Sequence, residues 1–295
     1  MKQFRSLIVI LGLATTVLII YTSCKKEINS SKDIPKGQQQ VSIKLSDNPV
    51  DFNAVFVDIQ SVAVQVIPDS CLNRYHDDND HDGNDDHDHD HPGRCSTWDT
   101  LSIHPGVYNL LNLANGTDTI LASGLTVSGK ITKIRLTLGS QNSVVIDSVS
   151  YPLTLWNNDP DVTISIRGED VDMISPSNLQ FWLDFDAGRS IVRIANNHFV
   201  LRPFLRVWVP AHTASIQGFV TPESAHAVVA AVFNGDTLVA FPEHRNGYFK
   251  IRGITSTSGD VFINATANGY QDTTITGIQL EPGKVTDIGA VHLHQ

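Results

Sequence analysis

Residues 74–94, RYHDDNDHDGNDDHDHDHPGR, gather the side chains best suited to hold a cation. Between positions 76 and 91 stand eight Asp and five His (His76, His81, His87, His89 and His91), with no Lys, Arg or Glu. Asp78, Asp80 and Asp82 alternate and are followed by Gly83, while Asn84 and Asp86 fall on the seventh and ninth places of a twelve-residue calcium loop. Carboxylates at alternate residues wrap oxygens round a hard cation, and the glycine allows the sharp turn. The twelfth place is His89 instead of a bidentate Glu, with Asp88 and Asp90 on either side, and no flanking helices are evident. The expected Ca2+ affinity is therefore weak, on the order of 0.1 to 1 mM. His87, His89 and His91 alternate with carboxylates, which also offers the nitrogen and oxygen ligands that suit Zn2+. Neighbouring carboxylates favour imidazolium, so the charge of this stretch should change near pH ~6 to 7. The plain alternative is an acidic insertion that keeps the surface soluble.

A segment with no periodic apolar residue cannot bury a core, so it should be a solvated loop joining two strands. Cys71 and Cys95 bracket it. Beyond Cys24 they are the only cysteines, and an even pair in an exported chain predicts a disulfide. Closing that loop should stabilise the fold by about 3.5 kcal/mol in the chain-entropy picture. Two reduced thiols ligating metal beside the histidines are the alternative.

The N-terminus predicts export. Lys2 and Arg5 precede an uncharged, mostly apolar run from Leu7 to Ile20. At about 1.5 Å per residue a helix of that length falls short of the roughly 30 Å hydrocarbon core, which favours a signal peptide over a permanent span. Thr22 and Ser23 lead into Cys24, and this resembles a bacterial lipobox, with Tyr21 where an aliphatic residue is usual. The resemblance implies a signal peptide over 1–23, lipidation of Cys24 and attachment to a membrane through the acyl chains. Residues 24–40 are polar and aperiodic and read as a flexible tether.

The remainder has a β texture. VSIKLS places Val41, Ile43 and Leu45 on one face, and AVFVDIQSVAVQVI (54–67) is β-branched with Asp58, Gln60 and Gln65 as polar positions. KITKIRLTLG (130–139) puts Ile131, Lys133, Arg135 and Thr137 on one face and Thr132, Ile134, Leu136 and Leu138 on the other. One helical candidate spans 107–123; Asn115-Gly116 interrupts it, so it should make a turn or short helix on the sheet edge. Gly188 should permit a tight hairpin, with Asp184, Asp186 and Arg189 forming an ion pair or turn contacts. The composition shifts near Val209–Ser215, after which brief strands suit a small Greek-key sandwich. The expected fold class is all-β: a larger sandwich-like domain over 41–210, then a small transthyretin/Ig-like sandwich over 213–295.

Five segments carry a further resemblance: LSDNPVDFNAVFVDI (45–59), GVYNLLNLANGTDTILASG (106–124), GKITKIRLTLG (129–139), DFDAGRSIV (184–192) and FVLRPFLRV (199–207). In this order they resemble the bacterial lipoprotein domain known as domain of unknown function 4382. That implies an exported β-rich domain, often lipid-anchored, and no assigned activity. ASIQGFV, NGYFKIRGI and GKVTDIGAVHL in the C-terminal part look like a carboxypeptidase-regulatory or transthyretin-like sandwich. Such modules accompany enzymes, receptors and adhesins without being catalytic.

Formal net charge is −10, most of it in the 76–91 stretch, and no basic patch stands out to neutralise phosphates, which argues against nucleic acid. G-x-S-x-G, H-E-x-x-H, P-loop and G-x-G-x-x-G signatures are missing from the sequence. His104, His198, His212, His226 and His244 are scattered. Trp98, Trp156, Trp182 and Trp208 default to core packing, with Trp156 the best exposed stacking platform. These readings predict a non-catalytic lipoprotein of the cell envelope, on the periplasmic side of the outer membrane or at the cell surface. It would be of a binding or adhesion type, with a divalent-metal loop and a protein or glycan partner. Metal capture by the loop, or an accessory or enzymatic role in glycan handling, are the alternatives.

Overall fold

The computed structural model describes residues 34–47, 52–72, 95–166, 179–267 and 269–295. The signal segment, Cys24, most of the tether, and Asp78, Asp80, Asp82, Asn84, Asp86, His87, His89 and His91 lie outside the described residues. Residues 34–295 form one compact unit that holds two separate apolar cores. The architecture is all-β.

The first core is enclosed by β1 (Gln38–Ser46), β2 (Ala54–Pro68), β3 (Thr97–Thr100), β4 (Ser102–Ile103), β5 (Gly106–Asn109), β6 (Thr119–Val127), β7 (Gly129–Leu138), β8 (Ser143–Ile146), β9 (Val149–Leu155), β10 (Asp161–Ser165), β11 (Leu179–Phe185), β12 (Ile191–Ala195), β13 (His198–Leu201) and β14 (Leu205–Trp208). One sheet runs β14-β11-β1-β6-β4, and the other β10-β7-β2-β8-β9-β13-β12 with β3 and β5 also paired to β2. Val41, Ile43 and Leu45 are fully buried, as their alternation predicts. The strand nevertheless begins at Gln38, inside the stretch read as tether. Gln38–Gln40 pair with Leu125–Val127, and the Gln39 side-chain amide donates to the Gly129 carbonyl.

Alternation breaks in β2 and β7 because each carries an irregularity in register. In β2 the fully buried residues are Val55, Val57 and Ile59, then Val62, Val64 and Val66, and the shift lies between Ile59 and Ser61. In β7 Ile134, Leu136 and Leu138 are buried, yet so is Ile131, beyond a second shift opposite Gln65 and Val66. An extra residue in one strand reverses which parity faces the core, so the expected two-face division of 130–139 holds only for part of the strand.

Asp58, one of the polar positions of β2, sits at the first break and is buried. It accepts from the Gln141 backbone amide and from the Gln60 side chain, while its own N–H donates to Asn142 Oδ1. The loop after β7 thus satisfies the carboxylate, as burial of a charge demands.

The 107–123 segment holds one short helical turn, a 3-10 turn at Leu110–Leu113, between β5 and β6, because sheet pairing to β2 and β1 takes up the flanking backbone. One other expectation is corrected. Gly188 lies in a short helix, Ala187–Ser190, capped by Asp186, whose carboxylate accepts from the Arg189 N–H at 3.0 Å. It does not form a tight hairpin.

The second core is a seven-stranded, two-sheet sandwich: β15 (Ala214–Thr221), β16 (Ala227–Phe233), β17 (Asp236–Ala240), β18 (Tyr248–Ile254), β19 (Ser258–Ala265), β20 (Thr273–Gln279) and β21 (Val285–His292). Its sheets are β18-β15-β21 and β17-β16-β19-β20, and β21 closes the first by pairing parallel to β15. Between the cores the connector is a 3-10 turn, Pro210–His212, flanked by buried Val209, Thr213 and Ala214. A connector this short, with buried residues at both ends, leaves the two halves little freedom.

Candidate functional site

Two places concentrate chemistry. The first is the root of the acidic His-rich segment. β2 and β3 pair antiparallel, with Val66 opposite Thr97, and a short helix, Asp69–Leu72, extends β2 to Cys71. Cys71 and Cys95 are joined by a disulfide with a Cα–Cα distance of 6.3 Å. The segment between them thus springs from a hairpin whose base is covalently closed. Gln65 reinforces that base, donating from Nε2 to Ser96 Oγ at 3.0 Å. Among the described residues no three His, Cys, Asp or Glu side chains converge as a metal-ligand set.

The second is the junction of the two cores, which pattern reading did not find. Asp118, just before β6, accepts from Arg252 Nη1 at 3.0 Å through one oxygen and meets Lys44 Nζ at 3.0 Å through the other. Arg252 also donates from Nη2 to the Thr117 carbonyl at 2.8 Å. Its guanidinium stacks on Trp182, 4.1 Å from the ring centroid, and Trp182 meets Trp208 edge to face at 6.0 Å. Asn115 donates to the Phe241 carbonyl at 3.0 Å. A Cβ built on Gly253, at φ +75°, would fall 3.0 Å from the Trp208 indole, so only glycine lets that ring lie against β18. Residues from β1, β6, β11, β14 and β18 therefore lock the halves together. Trp182 and Trp208, read as ordinary core tryptophans, are the walls of this junction. The signal was present only as residue types. Arg252 and Asp118 lie 134 residues apart, and no local pattern links them.

Asp184 extends the network. It is fully buried, and its Oδ2 accepts from Arg206 Nη2 at 2.8 Å. Arg189, which the sequence placed near it, instead meets Asp186 at 3.6 Å. Burial pushes the Asp184 carboxyl above its ordinary value, and the Arg206 charge pulls against that shift. A folded-state pKa above the unfolded one means that the native state holds the proton more tightly. The stability this group contributes is complete below the ordinary carboxylate pKa and is lost as pH rises through the raised value. Difference curves of unfolding free energy between the native chain and Asp184→Asn, taken across the acidic range, should show this falling component. A curve that rises with pH would reverse the assignment.

The family described as "Domain of unknown function (DUF4382)" matches residues 38–203, more than half of the chain. The chain belongs to this family. The family match ends just before β14, although β14 completes the sheet by pairing with β11. No curated protein matches the chain. Among solved structures it is similar to a variant of the shaft pilin SpaA from Lactobacillus rhamnosus GG, at 9% identity and TM-score 0.23, covering 87% of this chain and 98% of that one. It is also similar to a streptococcal ancillary pilin, at 11% identity and TM-score 0.21, covering 87% of this chain and 69% of that one. For the fimbrial anchor protein Mfa2 from Porphyromonas gingivalis, identity is 7% and TM-score 0.17, with 82% of each chain covered.

Proposed function

We propose that this DUF4382 protein is an exported, non-catalytic binding protein of the cell envelope, held to a membrane through lipidated Cys24. It presents a divalent-metal-binding loop on a rigid β base. The observation that carries this reading is the Cys71–Cys95 bond at the foot of the β2–β3 hairpin. A disulfide suits an oxidising compartment, in agreement with the signal segment. It also fixes both ends of the only stretch where eight carboxylates and five imidazoles crowd into sixteen residues. Fixing the ends lowers the entropy that the loop loses on closing round a cation. The two β cores serve as the scaffold that meets a protein or glycan partner.

Calorimetric titration with Ca2+ and Zn2+, beside a variant lacking residues 76–91, tests the metal loop. Saturable Ca2+ binding at about 0.1 to 1 mM, lost in the variant, is expected. Several ions bound per chain, with Zn2+ the tighter, would favour metal capture as the protein's main task. No heat with either ion sinks the metal reading and leaves a solvated insertion.

A further inference from the structure

A cavity of about 130 Å³ lies at the junction, walled by Trp182, Trp208, Thr213, Lys250, Arg252 and Lys284. Around it stand five cations (Lys44, Arg206, Lys250, Arg252 and Lys284) and three carboxylates (Asp118, Asp184 and Glu281), in a chain whose net charge is −10. The carboxylates are already engaged: Asp118 with Lys44 and Arg252, Asp184 with Arg206, Glu281 with Lys284. Lys250 has no ion-pair partner among the described residues. Burial and the Arg252 charge pull its ammonium below the ordinary value, while the Asp118 carboxylate pulls against that shift. Among the described residues the Trp182 Nε1 donor is buried and has no acceptor.

We propose that this cavity binds the oxyanion group of a small ligand, a sulfate or a sugar carboxylate, with Lys250 as its charge partner and the two indoles as its walls. The volume suits that group, holding about four waters at roughly 30 Å³ each. Lys284, more exposed, guides the anion to the opening.

The test follows the indole N–H resonances of the full chain in detergent during titration with sodium sulfate, D-glucuronate, D-glucose and sodium chloride at matched ionic strength. Trp182→Phe identifies the Trp182 signal. A saturable shift with sulfate or glucuronate, and none with glucose or chloride, is expected, with Kd on the order of 1 mM. Sulfate and glucuronate alike would mark a general oxyanion site, and glucuronate alone an acidic-sugar site. Lys250→Met keeps the aliphatic stem that packs on Gly116 and should weaken binding about tenfold or more with the melting temperature unchanged. Lys284→Met, on the exposed rim, supplies a second reading if Lys250→Met is poorly folded, with a weakening of about threefold expected. The variant lacking 76–91 should respond as the native chain does. No saturable shift beyond chloride, or a shift untouched by either lysine variant, overturns the proposal.

Discussion

Replacing Asp118 with Ala should lower the unfolding free energy by about 3–5 kcal/mol, because it strands a buried cation. The Arg252 side chain is 7% exposed, and Asp118 is its only ion-pair partner among the described residues. Removing that carboxylate leaves the guanidinium with the Thr117 carbonyl and the Trp182 face, which cannot neutralise it. The Lys44 half of the bridge contributes much less. Lys44 is 25% exposed, so Lys44→Met should cost under about 1 kcal/mol. The double variant Asp118→Ala, Arg252→Met removes both charges and should recover much of the loss, since the penalty lies mainly in the unpaired charge. Urea denaturation of the four chains gives the coupling. Limited proteolysis should then cut the connector near Pro210–His212 in Asp118→Ala before it cuts either core. A loss under about 1 kcal/mol in the single variant would show that the Arg252 charge is relieved by water, and the clamp would not be what orients the halves.

Removing the disulfide as Cys71→Ala, Cys95→Ala should cost about 3.5 kcal/mol in the chain-entropy picture for a separation of 24 residues. The loss should arise chiefly in the unfolded chain, so the native state should keep its β spectrum. Burying the Cys71 side chain means that alanine also leaves a small gap beside β2 and β7, which adds to the loss. Chemical denaturation measures it, with the reduced native chain as the matching control. If the variant lacking residues 76–91 is made in the disulfide-free background, the disulfide's contribution should shrink, because a shorter loop has less closure entropy to lose. Equal losses in long and short loops would point to packing round the cysteines instead.

Much of the fold was legible because β-strands write themselves locally. Val41, Ile43 and Leu45 alternate into the first core, and polar turn residues mark the ends of strands. Pairwise residue identity also brought Cys71 and Cys95 to notice, since an even number of cysteines in an exported chain has few other uses. What local pattern could not carry was the bulges. Ile131 and Val62 are core residues at the wrong parity for their neighbours, and only the partner strand fixes where the register slips. The burial of Asp58 was out of reach for the same reason: it depends on Gln141 and Asn142, which fold back from the far end of β7. The interrupted helical pattern at 107–123 gives only the 3-10 turn Leu110–Leu113, because the strands on either side pair with β2 and β1.

The sequence by itself determined the composition of the candidate metal loop, its bracketing cysteines and the all-β class, because each rests on residues close together in the chain. The junction was decided by tertiary structure alone. Asp118, Trp182, Trp208 and Arg252 come from four strands or their edges, and Arg252 brings the second core's contribution to the other three. Their pairing is a matter of distance through space, and a charge, an indole or a cavity between two folded cores leaves no period in the chain that makes it.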